Sequence, residues 1–377
     1  LKKTAGVAKL AFDIFRIRRR FMSRINDLRK KIDEIDLRIL ELLNKRAGVV
    51  LEIKKAKDST HIENIYSPKR EREIINRLMR LNRGPFPNEA LKLLYREILS
   101  ASLALQQPLK IAYLGPPATF THLAAMRQFG SSAGYMPVNT IKAVFSAVSS
   151  GEAQYGVVPI ENSTEGVVNY TLDMFIDSDL KIIYEIMLPV SHNLLSKTGK
   201  RSHIKRIYSY PQATAQCREW LEENFPNVPI IEEQSTASAA ERATKDPSAA
   251  AVASELAAVI YDLKFISRGI EDYQHNYTRF LVIGRDAVPR TGKDKTSIMF
   301  SIKDKPGALY SILRYFAENK INLTKIESRP SRRKAWEYIF FVDMEGHIED
   351  KKVKKAITEM KKECLFFKEL GSYPSAD

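Results

Sequence analysis

The sequence predicts a multidomain chain of three classes: an all-α segment over 23–107, an α/β segment over 109–287 and an α+β, ferredoxin-like segment over 296–377, behind an N-terminal extension over 1–22. Three observations carry this. From Ile25 to Ala56 apolar residues recur at steps of three and four, the period of a helix. After Pro108, strand-like runs alternate with small polar clusters and helical runs, as in "YGVVPI" before "ENSTEG", which predicts α/β architecture with a mostly parallel sheet. From Thr296 the runs follow the order βαββαβ. A chain of 377 residues holds several domains at ~100–200 residues each.

The first segment reads as helices with charges on an inward face. The stripe Ile25, Leu28, Ile32, Ile35, Ile39, Leu42, Val49, Ile53 and Ala56 is broken at Arg46, where an apolar residue is due. Lys57 continues the same stripe and Arg29 sits beside Leu28. At ~1.5 Å per residue such a helix runs ~50 Å, longer than a small domain covers, so a second copy is expected to bury it, as a homodimer or higher homo-oligomer. A second helix opens with Ser67 as N-cap and Pro68 at its first position, followed by Arg70 and Glu71. A third, after Asn88, carries Leu91, Leu94, Ile98, Ser102 and Leu105, with Gln106 one turn beyond Ser102. Buried cations need negative partners, so the helices are expected to enclose a cavity for an anionic ligand.

"LRKKIDEIDLRILELLNKRAGVVLEIKKAK", "SPKRERE" and "SASLALQQ" resemble the all-helical class of chorismate mutase. The resemblance implies a pericyclic rearrangement of chorismate to prephenate. Arg29, from the partner chain, and Arg46 would clamp carboxylates, and Lys57 and Gln106 would donate to the ether oxygen. Arg70 would orient the substrate, Glu71 would bind its hydroxyl and Ser102 would add a polar contact. Ser67 departs from the aspartate that some members carry there.

In the second segment the Ser/Thr/Asn clusters fall where strands end and helices begin, the place where α/β folds collect anionic ligands, although each cluster alone also suits a helix cap. No GxGxxG or GxxxxGK[ST] occurs, so no nucleotide cofactor is expected. The six histidines have no metal-ligand spacing, which argues against a metal site, and His122 and His192 read as packing or hydrogen-bonding residues. In "HNYTRFLVIG" the polar Asn276, Thr278 and Arg279 crowd the mouth of a strand fit for the core.

"LGPPATFTHLAA", "VVPIENSTEG", "SYPQATAQC", "STASAA" and "NYTRF" resemble prephenate dehydratase, in that order along the chain. The resemblance implies a two-lobed, periplasmic-binding-protein-like domain that converts prephenate to phenylpyruvate, water and carbon dioxide. Thr278 would donate toward the departing hydroxyl, Arg279 would pair with a substrate carboxylate or orient the loop, and Phe280 would pack by the ring. Asn162, Ser163, Thr164, Gln216 and Thr236 would line the cleft. Tyr210 stands where a histidine is common, and Pro117 and Ala118 replace a more usual charged residue and glycine.

In the third segment "DKPGALYSIL" and "IESRPSRRKAWEYIFFVDMEGH" resemble the ACT domain. This implies L-phenylalanine as effector, held at Gly307, Ala308, Leu309, Glu327, Ser328, Arg329 and Pro330. The three resemblances together imply a bifunctional enzyme under phenylalanine feedback. The alternative is a monofunctional prephenate dehydratase whose helices serve dimerisation only.

The remaining composition sets limits. The net charge is +15, with 25 Lys+Arg against 13 Asp+Glu in residues 1–107. A DNA-reading face would be exposed, whereas Arg46 and Lys57 follow an apolar stripe, so no nucleic-acid partner is expected. No apolar run approaches the ~18 residues of a membrane span, and "LKKTAGVAKL" lacks the apolar stretch of a signal peptide, so no membrane partner is expected. "FRIRRRF" has a faint transit-peptide character but reads better as a helical extension. Cys217 and Cys364 lie far apart and form no CxxC pair, which suits a reducing cytoplasm.

Overall fold

The computed structural model describes the backbone of residues 2–60, 66–273, 275–330 and 338–376, and side chains from Met22 onward except at 23 and 58–60. The chain divides into two compact units, residues 1–65 and 66–377. Helix α1 (Lys2–Thr60) is the described element of the first. It continues through the N-terminal extension, and its apolar stripe is exposed: Ile32 is 56% and Leu42 65% accessible.

The second unit opens with α2 (Pro68–Leu81) and α3 (Asn88–Gln106). Ser67 caps α2, its hydroxyl accepting from Arg70 N at 3.3 Å. The division therefore falls inside the expected helical domain, for a physical reason. Ser100 Oγ on α3 donates to Phe129 O at 2.6 Å, Gln128 donates to the Tyr66 hydroxyl at 2.7 Å, and Tyr66 packs into the same core as Phe129 and Ile111.

The first lobe comprises β1 (Lys110–Leu114), α4 (Phe120–Phe129), β2 (Gly134–Val138), α5 (Ile141–Ser149), β3 (Tyr155–Asn162), β4 (Gly166–Val167), α6 (Asn169–Asp177) and β5 (Lys181–Pro189). The second comprises β6 (Asn193–Ser196), a 3₁₀ turn (Arg201–His203), β7 (Arg206–Ser209), α7 (Pro211–Gln216), α8 (Arg218–Asn224), β8 (Ile230–Glu232), α9 (Thr236–Thr244), β9 (Ala249–Ala253), α10 (Glu255–Ile260) and β10 (Lys264–Ser267). Strand β11 (Tyr277–Gly284) returns to the first lobe. Among the described residues the first sheet runs β2-β1-β3-β11-β5, with β4 beside β3, and the second β10-β6-β9-β7-β8.

Both sheets are mixed, where a mostly parallel one was expected. Strands β1, β2 and β3 are parallel, but β11 runs antiparallel to both β3 and β5; in the second lobe β6 is antiparallel to β9 and β10. The cause is connectivity: the chain crosses between lobes after β5 and again after β10, and the strands flanking the crossings must run against their neighbours.

The remaining elements are β12 (Asp294–Ile302), α11 (Ala308–Glu318), β13 (Leu323–Pro330), β14 (Tyr338–Glu345), α12 (Lys351–Lys361) and β15 (Cys364–Pro374). Their antiparallel sheet has the order β13-β14-β12-β15, the expected ferredoxin-like arrangement. One face packs on the two helices through Ile298, Phe300, Ile312, Phe316 and Met360. The other face turns Met299, Phe341, Leu370 and Tyr373 onto Ile182, Leu281 and Phe175 of the first lobe, so the two sheets share a core.

Cys217 and Cys364 are both free, and burial pushes both thiols up. Among the described residues no group of His, Cys, Asp or Glu could hold a metal ion, and no helix is long and apolar enough to cross a membrane.

Gly371 shows how closely the sheets approach. Its φ is +149°, and an added Cβ would lie 2.3 Å from the carbonyl oxygen of Ile182 on β5. Backbone cannot yield as a side-chain tip does. Gly371→Ala is expected to lower stability by roughly 3 kcal/mol, measurable as a shift in the denaturant midpoint.

Candidate active site

Strand β11 sets the geometry of the cleft. Its residues alternate between faces, so Thr278 and Phe280 point one way and Arg279 and Leu281 the other. Thr278 pairs in register with Asn162 at the end of β3. Asn162 Nδ2 donates to Thr278 Oγ1 at 2.8 Å and to Asn276 Oδ1 at 2.8 Å. Its Oδ1 accepts from Thr164 Oγ1 (2.6 Å), Thr164 N (2.9 Å) and Glu165 N (3.0 Å), which fixes the orientation of the amide without ambiguity. The consequence is chemical. Because Asn162 donates to Thr278, the threonine oxygen acts as acceptor there, and its own O–H remains to donate into the cleft; among the described residues it meets no acceptor.

The second lobe closes the network. Gln216, at the end of α7, accepts from Asn276 Nδ2 at 3.0 Å and donates to Glu165 Oε1 at 3.2 Å. His192 Nε2 lies 2.8 Å from Gln216 Oε1, so that nitrogen is the donor and Nδ1 carries the lone pair, which is buried and unpartnered among the described residues. Burial lowers the His192 pKa, disfavouring the charged ring, and raises that of Glu165. Ser163 pins the loop by donating to His275 O at 3.2 Å and accepting from Tyr277 N at 2.9 Å. Thr236 is the buried first residue of α9, above the Ser235 capping box.

The helical residues fall in both units. Arg29, Arg46 and Lys57 lie on α1, where Arg46 and Lys57 are half-buried although Leu42, Val49 and Ile53 on the same stripe are exposed. In the second unit Arg70 is exposed and pairs with Glu73 at 3.5 Å, and Ser102 Oγ donates to Ile98 O at 2.6 Å. Gln106 Oε1 is buried with no hydrogen-bond partner among the described residues. Desolvation pushes the Glu71 carboxyl up to about 7, against the opposing influence of Arg96.

Family models cover nearly the whole chain: "Chorismate mutase type II" matches residues 28–107, "Prephenate dehydratase" 111–288 and "ACT domain" 296–361. The chain is 53% identical over 359 residues to a bifunctional chorismate mutase/prephenate dehydratase of Aquifex aeolicus, an alignment covering 94% of this chain and 99% of the relative. The chain belongs to the bifunctional chorismate mutase/prephenate dehydratase family. A relative of the same description from Pseudomonas aeruginosa is 45% identical, over 93% of this chain and 97% of its own. A solved prephenate dehydratase of Arthrobacter aurescens, in complex with L-Phe, superposes with a TM-score of 0.66 at 36% identity, covering 71% of this chain and 91% of that one.

Within this family member two expected contacts need correction. Arg279 does not face the cleft. It projects from the face of β11 opposite Thr278, where its Nε meets Glu185 at 2.8 Å, its Nη1 meets Asp343 at 2.5 Å and its Nη2 donates to the Tyr373 hydroxyl at 3.0 Å. Burial alone would lower its pKa, but Tyr373, Asp343 and Glu185 more than offset this and hold it above its ordinary value. Phe280 shares the face of Thr278, yet it is 1% accessible and fills the core with Ile111, Tyr113 and Leu123, below the cleft floor.

Asn276, Glu165 and His192 join the network without having been counted among the expected site residues. Asn276 had a visible signal, as one of the polar residues at the mouth of "NYTRF", whereas His192 had none beyond an unremarkable "SHN". In the C-terminal domain Gly307 adopts φ +79° at the N-cap of α11, and a Cβ there would meet nothing within 4 Å among the described residues. Ala308 and Leu309 follow it on the helix, and Glu327, Ser328, Arg329 and Pro330 lie on β13. Arg329 turns to Asp173 of the first lobe at 3.3 Å. The stretch 331–337, part of the motif that carried the ACT resemblance, lies outside the described residues.

Glu71 makes stability depend on pH. A carboxyl raised from 4.5 to about 7 holds its proton in the folded state, so its contribution is complete below the unfolded pKa and is lost as pH rises through 7. Glu71→Gln should match the parent in denaturant midpoint at pH 4.5. At pH 8.5 the variant should be the more stable, by on the order of 3 kcal/mol.

Proposed function

We propose that this chain rearranges chorismate to prephenate and then dehydrates and decarboxylates prephenate to phenylpyruvate, under feedback by L-phenylalanine. Both substrates are dianions, and the two halves of the reading treat charge differently. In the rearrangement no proton moves. Arg29, supplied by a partner copy, and Arg46 hold the carboxylates; Lys57 and Gln106 donate to the ether oxygen, where negative charge grows as the bond breaks. Glu71 receives the substrate hydroxyl, Arg70 steers the entering anion and Ser102 adds a polar contact. The exposed stripe on α1 supports the homodimer that this needs, since such a surface suits a second copy.

In the second reaction the ring carboxylate leaves as carbon dioxide, its bonding electrons enter the ring, and the ring C–O bond breaks as hydroxide takes up a proton to become water. The observation that carries this reading is the Asn162 to Thr278 hydrogen bond of 2.8 Å, which leaves the threonine O–H to donate to the departing oxygen. A hydroxyl is a weak acid, so its help comes from placement, with aromatisation of the ring as driving force. Thr164, Ser163, Gln216 and Thr236 shape the cleft around the substrate. The alternative, a dehydratase with a merely dimerising helical head, leaves without a purpose the Glu71 carboxyl that burial pushes up to about 7, and the Gln106 amide, whose Oε1 is buried and unpartnered among the described residues.

L-Phenylalanine would bind where Gly307 opens α11, its carboxylate against backbone N–H groups, with Glu327 to Pro330 on the neighbouring strand. The two free cysteines suit a reducing cytoplasm.

The test supplies purified protein with chorismate and follows prephenate and phenylpyruvate separately, with and without phenylalanine. Arg46→Ala is expected to abolish prephenate formation while externally added prephenate is still consumed. Thr278→Ala should let prephenate accumulate, its dehydratase kcat falling about 10²-fold. Unimpaired dehydration by Thr278→Ala would overturn the assignment.

A further inference from the structure

The faces of β3 and β11 that turn away from the cleft are gripped by the C-terminal domain at the residues adjoining the catalytic pair. Asn162 and Thr278 face each other across the cleft side of the two strands. Their chain neighbours Glu161 and Arg279 are likewise paired in register, on the opposite side. Each meets one charge of the regulatory sheet. Lys325 Nζ on β13 lies 2.8 Å from Glu161 Oε2, and Asp343 on β14 lies 2.5 Å from Arg279 Nη1. Glu185 on β5 completes the second cluster, with Lys295 of β12 at 2.8 Å, while Ser297 donates to Asp343 at 2.5 Å.

We propose that Lys325–Glu161 and Asp343–Arg279 are positioning pairs, through which the C-terminal domain sets the register of Asn162 against Thr278 and so controls the dehydratase step. Neither pair touches substrate. Each acts one peptide unit from a residue that does, on strands already joined to each other by backbone hydrogen bonds. Strand β13 carries both Lys325 and the proposed effector contacts beginning at Glu327, two residues on and on the same face. A shift of β13 on effector binding moves Lys325, hence Glu161, hence the amide that orients the Thr278 hydroxyl. The effector needs only to favour one position of β13 over another.

This inference rests on the proposed dehydratase activity, and its test separates the two. Lys325→Met, Glu161→Gln and the double variant are compared with the parent in the full chain, by prephenate turnover, phenylalanine inhibition and melting temperature. Lys325→Met should lower kcat about tenfold at unchanged KM and melting temperature. It should also raise the phenylalanine concentration for half-inhibition by a similar factor, and Lys325→Arg should restore both. The double variant should be no worse than either single one, because the residues act as one pair.

An active parent with Lys325→Met within twofold of it in both kcat and half-inhibition would overturn this proposal alone; so would additive losses in the double variant. A parent inactive on prephenate would overturn the functional reading and this proposal together. Should Lys325→Met fail to fold, Glu161→Gln carries the same test, being isosteric and at a side chain 39% exposed.

Discussion

The fold depends most on the two-sided burial of β11. This strand has β3 on one edge and β5 on the other, α4 and the cleft against one face and the ferredoxin-like sheet against the other. A strand so enclosed cannot slip by one residue without exchanging its two faces, which would push Arg279 into the apolar layer under the cleft and turn Thr278 into the inter-sheet core. Register is therefore fixed from both sides, and the placement of the Thr278 hydroxyl follows from core packing, with no dedicated loop required. The polar network then needs only to orient a group whose position is already determined.

The two proposed chemistries divide along an electrostatic line. The residues assigned to the rearrangement are mostly cations on helices, suited to a reaction whose transition state gains charge on one oxygen and transfers no proton. The dehydratase cleft is built from amides and hydroxyls, with a histidine whose pKa burial lowers and a carboxyl whose pKa burial raises. Such a site offers direction without strong counter-charge. That is appropriate where carbon dioxide must depart from a carboxylate, since a tight cationic clamp on that group would hold back the electrons the ring must receive.

Much of the architecture was legible because its signals are local and periodic. The three-and-four spacing of α1, the Ser67 cap with Pro68, the alternation of strand and polar cluster and the βαββαβ order are each assembled from signals between near neighbours in sequence. What escaped is non-local. Nothing in "NYTRFLVIG" tells which of Thr278 and Arg279 faces solvent, because alternation specifies that they differ and not which way each points. The direction of Arg279 depends on Asp343 and Tyr373, more than sixty residues away in sequence. The mixed sheets were missed likewise, since antiparallel β11 is a product of two inter-lobe crossings. Similarly, α2 and α3 carry a helical pattern, while their attachment to the α/β unit hangs on Tyr66, Gln128 and Ser100, which no period marks.

The charges between the two sheets are a poor device for stability alone. Taking Arg279, Glu185 and Asp343 out of water offsets most of what their attraction gains, and apolar side chains of similar volume would hold the sheets as firmly. What charges add is selectivity of position. Van der Waals contact between two apolar faces tolerates small sliding motions, whereas the hydrogen bonds of a guanidinium that bridges a carboxylate of the lobe and one of the C-terminal sheet weaken steeply with misalignment. Each domain contributes one cation and one anion to the Arg279 cluster, so separation would leave Asp343 and Lys295 without their partners on the lobe, while Arg279 kept only Glu185. A sheet joined to β11 in this way favours discrete arrangements over gradual sliding, because intermediate positions keep the desolvation cost without the aligned hydrogen bonds.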